Sequence, residues 1–179
     1  MSLEDKGKAI LDMLRVIDKG VVMEQNARTF YLSAVDKVKS DEGRKMMKWL
    51  ADFEQGHASR LLERKKALMG RLRSLELDPL KFDNFDVSEA AETRRLAPDA
   101  SEMDILKMAV ENEKRAYAFF TKKVTFASDK SIETLFREMA AQEEQHIKIL
   151  NDQLDHLKAT QRWKDFSEFD EYLEKHAKG

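Results

Sequence analysis

The chain has 179 residues, enough for one domain with a sizeable core; 42% are hydrophobic and 37% charged. A formal net charge of -2 with interspersed signs gives no electrostatic footprint for nucleic acid or an anionic membrane, and no apolar stretch approaches a membrane span or signal peptide. The lack of Cys excludes disulfides, thiolate metal sites and cysteine nucleophiles, while 6 Gly and 2 Pro point to long helices, so the expectation is a soluble, cytoplasmic, all-α protein.

Apolar residues recur at helical spacing in four stretches. The first runs from about Ile10 to Val38 through Leu14, Ile17, Val21, Tyr31 and Val35. Ser40 and Asp41 mark a short turn with N-cap residue types, and the second stretch runs from about Met46 to Leu68 through Leu50, Phe53 and Leu61. So short a turn joins antiparallel neighbours, giving a helical hairpin over 8–70. Residues 71–100 hold both prolines and read as a long crossover, with a helical turn near Ser88–Arg95. Ser101 and Asp104 resemble a capping box that opens the third stretch: Ile105, Leu106, Val110, Tyr117, Phe120, Val124. Ser128 and Asp129 break it. The fourth stretch, Ile132, Leu135, Met139, Ile149, Leu150, Leu154 and Leu157, completes a second hairpin over 101–160. In the tail, 161–179, Trp163, Phe166, Phe169 and Tyr172 fall three apart and predict a short amphipathic C-terminal helix lying on the bundle. The predicted architecture is a four-helix bundle of two hairpins.

Each apolar stripe is interrupted by acid or imidazole. Glu24 follows Val21 by one turn, and Glu113 follows Val110 in the same way. Glu54 and His57 sit between Leu50 and Leu61; Glu143 and His146 sit between Met139 and Leu150. Residues three apart share a helix face, so each Glu-x-x-His offers two ligands to one point. Four buried carboxylates cannot all ionise side by side without compensation, and two divalent cations supply it. Mixed carboxylate and imidazole donors suit Fe or Mn better than Mg or Ca, which take oxygen, or structural Zn, which favours sulfur. Such a set, one Glu from each of two helices and a Glu-x-x-His from each of the others, is the ferritin-like arrangement.

A single Glu-x-x-His arises readily by chance in a chain with 18 Glu. The spacing is harder to produce. Glu24 to Glu54 is 30 residues and Glu113 to Glu143 is also 30; all three ligands of the first hairpin recur 89 residues later, as Glu113, Glu143 and His146. Their surroundings repeat at the same interval: Val21/Val110, Ala27/Ala116, Phe30/Phe119, Leu50/Met139, Ala51/Ala140 and Leu61/Leu150. One hairpin has been duplicated, which predicts a metal centre on a pseudo-twofold axis. Glu111 and Glu144 fall off the inward face and read as solvated; His156 reads as a helix-flank residue and His176 as tail.

These residues resemble the rubrerythrin-like domain of the ferritin-like di-iron carboxylate superfamily over about 10–160. The run from Ala109 to Phe120 looks like that family's third helix, Glu143-Glu144-Gln145-His146 with Ile149-Leu150 like its fourth, and Glu24 with Phe30-Tyr31 like its first. The resemblance implies two Fe ions, with Mn or Zn as substitutes. Glu24 and Glu113 would be terminal carboxylates, Glu54 and Glu143 bridges, and His57 and His146 one ligand to each ion. Tyr31 would be either a hydrogen-bond donor behind the ligands, or a radical trap, or a core aromatic; its counterpart in the duplication is Phe120.

Two departures matter. Rubrerythrin carries a Cys-ligated rubredoxin domain, and this chain has no Cys. The resemblance therefore implies an external electron donor, or ferrous iron itself. Rubrerythrin also has an extra Glu three residues before the third-helix ligand, where this chain has Val110. The remaining six ligands are symmetric, as in the ferroxidase centres of bacterioferritin and ferritin. The leading expectation is an oxidoreductase that reduces H₂O₂ or O₂ at a two-metal site, most simply as a homodimer, with Phe30, Phe119 and Trp49 offering an apolar patch. The rivals are a ferroxidase or iron-storage bundle and a metal-free helical interaction module.

Overall fold

The computed structural model describes residues 2–76, 96–127 and 129–165. They form four helices: α1 (Leu3–Val35), α2 (Asp41–Ser74), α3 (Glu102–Val124) and α4 (Lys130–Thr160), and no strand appears among them. Each helix begins where a small polar side chain caps the free amides of the first turn. Ser2 and Ser101 form full capping boxes with Asp5 and Asp104, Ser40 accepts from the amide of Gly43, and Asp129 from that of Ser131. The Ser2 cap starts α1 one to two turns before the apolar stripe does, and α2 likewise runs beyond Leu68 to Ser74. After Ser74 and Thr160 the backbone turns left-handed, at Glu76 (φ 58°) and Gln161 (φ 57°), where the chain leaves its helix.

α1 packs along α2, α3 along α4, and α1 touches α3. The core divides into two apolar halves. One contains Phe30, Tyr31, Ala34, Met46, Met47, Leu50, Leu106, Val110, Leu150 and Leu154. The other contains Ile10, Leu14, Ile17, Val21, Leu61, Leu68, Phe120, Ile132, Phe136 and Met139. α1 and α4 run from the second half to the first, while α2 and α3 run the other way. α2 therefore ends, and α3 begins, at opposite ends of the bundle, which is why the duplicated hairpins need a long connection. The helical turn expected near Ser88–Arg95 and the expected C-terminal helix lie outside the described residues.

The described start of the tail folds back on the bundle. The indole of Trp163 donates to Glu102 Oε2 at 3.0 Å, and the amide of Lys164 donates to the buried Gln153 at 3.2 Å. The other Glu102 oxygen accepts from the amides of Lys39 and Ser40 in the α1–α2 turn. One carboxylate thus ties the first turn of α3 to the first hairpin and to Trp163.

Four aromatic side chains depart from expectation. Tyr117 is exposed, because the buried stripe of α3 drifts through Ala109, Val110, Glu113, Ala116 and Phe120 and leaves Tyr117 on its flank. Phe30, expected on the surface, is buried edge-on against Tyr31. Trp49 and Phe119 are half-buried. Of the three aromatics expected to form an apolar patch, Phe30 is thus buried in the core, while Trp49 and Phe119 remain partly at the surface. No helix among the described residues is long and apolar enough to cross a membrane.

Candidate metal centre

Between the two apolar halves every helix contributes its acid or imidazole: Glu24 from α1, Glu54 and His57 from α2, Glu113 from α3, Glu143 and His146 from α4. All six are buried, none more than 2% exposed. They fall into two overlapping groups, Glu24, Glu54, His57, Glu143 and Glu54, Glu113, Glu143, His146, whose ligand atoms lie within 4.8 Å of one another. Glu54 and Glu143 belong to both. The Nδ1 atom of His57 stands 3.0 Å from Glu143 and 3.4 Å from both Glu24 and Glu54. The Nδ1 atom of His146 stands 3.1 Å from Glu113, 3.2 Å from Glu143 and 3.9 Å from Glu54. Glu111 and Glu144 are exposed, and His156 is half-buried on the flank of α4; His176 lies outside the described residues.

Burial raises Glu24, Glu54 and Glu113 above the ordinary carboxylate range. Glu113, beside Glu143, reaches about 7. Burial and the neighbouring Glu54 act the same way on Glu143, but the two imidazoles outweigh them and bring it down to about 2. Burial alone would lower the histidines; the carboxylates around them reverse the sign, raising His57 well above its usual range and His146 to about 10. Without metal, the cluster therefore holds itself together with protons.

That arrangement leaves polar atoms unsatisfied. Both oxygens of Glu24, both of Glu54, Oε1 of Glu143 and Nδ1 of His57 are buried without a hydrogen-bond partner. Orphaned buried groups each carry a desolvation cost of about 1–3 kcal/mol, more for charged ones. Once deprotonated, these orphans all offer lone pairs within one interior volume, which is the chemistry of a cation site. Two divalent ions match the four carboxylates in charge, so the residues present fit a two-metal centre.

The surroundings hold these side chains in place. The Tyr31 hydroxyl, fully buried, donates to Glu113 Oε1, which leaves Oε2 toward His146. Burial and the charge of Glu113 raise the tyrosine well above its normal range, so it remains a donor. Phe53 lies edge-on to His146 at 5.1 Å between ring centroids, with Trp49 at 5.6 Å. On the other side Gln142, which the sequence reading passed over, faces His57, and Arg60 donates to the same amide oxygen. The signal was present: Gln142 stands one turn before His146, where the first hairpin has Phe53.

Among known protein families, the rubrerythrin family model, described as Rubrerythrin, matches residues 104–179. No curated protein matches the chain. Several solved structures share its fold. A hypothetical protein from Pyrococcus furiosus aligns with a TM-score of 0.61 and 22% identity, covering 82% of this chain and 90% of that one. A dodecameric thioferritin, the bacterioferritin-related protein from Bacteroides fragilis, aligns at 0.57 with 19% identity, covering 88% and 96%. A ferritin-like di-iron carboxylate protein from Bacillus anthracis aligns at 0.51 with 17% identity, covering 86% and 99%. The chain is thus a ferritin-like four-helix bundle, and from residue 104 onward it matches the rubrerythrin family.

Proposed function

We propose that this chain is a rubrerythrin-like, non-haem di-iron oxidoreductase that reduces H₂O₂ or O₂ with electrons from an external donor. The observation that carries the reading is the pair of buried ligand groups joined through Glu54 and Glu143. Glu24 and His57 would hold one ion, Glu113 and His146 the other, and the two shared carboxylates would lie between them. Bound there, two redox-active ions would supply the two electrons that the oxidant takes up. The protein's share is positional. Tyr31 fixes the outer oxygen of Glu113, and Gln142 orients His57. The apolar halves above and below the centre keep bulk water away from it. Iron is the favoured metal, with Mn or Zn as substitutes, and a homodimer is the favoured assembly.

A second reading, a ferroxidase or iron-storage role, is favoured by Val110. It is buried where rubrerythrin has its additional carboxylate, which leaves a symmetric set of six. In that case ferrous iron is substrate as well as cofactor, and a closed shell or an enclosing partner is needed.

Metal analysis of Glu54→Ala and His57→Ala tests the site: both should lose stoichiometric binding, and unchanged metal content in both would refute the assignment. Anaerobic ferrous loading followed by separate O₂ and H₂O₂ challenges, read by near-ultraviolet absorption, tests the reaction. Faster oxidation by peroxide supports the peroxide-reducing reading. Faster oxidation by O₂ with continued iron uptake, in a particle much larger than a dimer, supports the ferroxidase.

A further inference from the structure

The duplication allows each half of the centre to be compared with the other, position by position. One turn before each histidine stand Phe53 on α2 and Gln142 on α4; two turns before stand Trp49 and Glu138. Each pair reaches across to the other hairpin. Phe53 and Trp49 pack their rings against His146, whereas Gln142 Oε1 lies 3.0 Å from His57 Nε2. Arg60 Nη1 donates to that same oxygen at 3.3 Å, and Arg60 is also paired with Glu138.

This geometry decides which tautomer the neutral His57 ring adopts. A guanidinium only donates, so the Gln142 atom facing Arg60 must be the amide oxygen. That oxygen accepts, so the Nε2 facing it must carry hydrogen. In the neutral ring the lone pair is then on Nδ1, the atom surrounded by Glu143, Glu24 and Glu54. At the equivalent place beside His146 stands Phe53, whose side chain has no hydrogen-bonding atom. The carboxylates differ in the opposite sense: Tyr31 braces Glu113, while its counterpart, Phe120, has no hydroxyl to offer Glu24.

Resting on the two-metal reading above, we infer that Gln142, clamped by Arg60, is a positioning residue that locks His57 in the tautomer presenting Nδ1 to metal, and that the two halves of the centre therefore bind their ions inequivalently. One half has a fixed imidazole and an unbraced carboxylate; the other has a braced carboxylate and an imidazole that meets Phe53 and Trp49 where His57 meets Gln142, although Phe53 also lies edge-on to His57 at 6.2 Å.

Zinc(II), which is diamagnetic, tests this without any turnover. Calorimetric titration of the wild-type chain should show two ions. Gln142→Leu should weaken one of the two steps by about 10–100-fold and leave the other unchanged. Gln142→Glu, which keeps an acceptor oxygen for His57 and Arg60, should restore it. Long-range proton–nitrogen correlation spectra of the zinc-loaded chain should show His57 with Nε2 protonated and Nδ1 free of hydrogen, with the Nε2 signal shifted in Gln142→Leu as its hydrogen-bond acceptor is lost while the His146 signals stay in place. Equal zinc affinities in wild type and Gln142→Leu, or equal losses at both steps, would overturn the inference while the metal centre stands. A wild-type chain that binds no zinc would overturn the metal reading and the inference with it. If Gln142→Leu does not fold, Arg60→Met, altered only on the outer side of the lock, decides: it should weaken the same single step, and unchanged binding refutes the clamp.

Discussion

Metal-free protein should lose stability as pH rises from about 5.5 to about 8.5, and metal-loaded protein should not. Glu113 is raised in the folded state from 4.5 to about 7, so its contribution is complete below about 4.5 and disappears as pH rises through about 7. His146 is raised from 6.5 to about 10, so its contribution is complete below about 6.5 and declines as pH climbs toward about 10. Across the chosen interval Glu113 and His146, which share one contact, together give up on the order of a few kcal/mol. Glu24, Glu54 and His57 are shifted in the same direction and add to the loss. Glu143, lowered to about 2, contributes with the opposite sign, but its window lies between about 2 and 4.5 and leaves this interval untouched. Each kcal/mol lost lowers the midpoint of a domain this size by about 2–4 °C, so the fall should be readily measured. Metal ligation requires the same groups deprotonated, so loading releases protons and apparent affinity rises with pH. Two ions at a hundred times their dissociation constants add about 2.7 kcal/mol each. Scanning calorimetry of chelator-treated and zinc-loaded protein at the two pH values measures both effects. A metal-free midpoint that stays level or rises over this interval would refute the assignment of buried, proton-bridged carboxylates.

Two glycines of α2 should respond oppositely to alanine. Gly56 has open space around a built Cβ, so Gly56→Ala should stabilise by about 0.5–1 kcal/mol; at Gly43 a Cβ would stand 2.5 Å from Val38 and 2.6 Å from Trp163, so Gly43→Ala should cost about 1–3 kcal/mol, both read by urea unfolding. Glu102→Ala removes the acceptor for Trp163, Lys39 and Ser40 and should cost about 1–3 kcal/mol, with a change in tryptophan fluorescence as the Trp163 indole loses its partner.

Much of this protein is determined by local sequence. The stripes place the helices because a 3.6-residue period can bury only one face, and Ser40, Ser101 and Asp129 start helices because their side chains satisfy free amides nearby in the chain. The six buried acids and imidazoles were legible for the same reason: they occupy core positions of those stripes, twice, 89 residues apart. Which side chains meet across helices is another matter. Whether Tyr31 reaches Glu113 rather than Glu24, whether Gln142 faces His57, whether Phe30 is buried and Tyr117 exposed, and whether Glu102 clasps Trp163 all depend on how far each helix is rotated and shifted against its neighbours. That setting comes from the packing of both apolar halves at once. Local sequence thus determined the six candidate ligands and their twofold repeat. Only the tertiary structure decided that the two halves of the centre are held differently, because the partners that distinguish them come from helices distant in the chain.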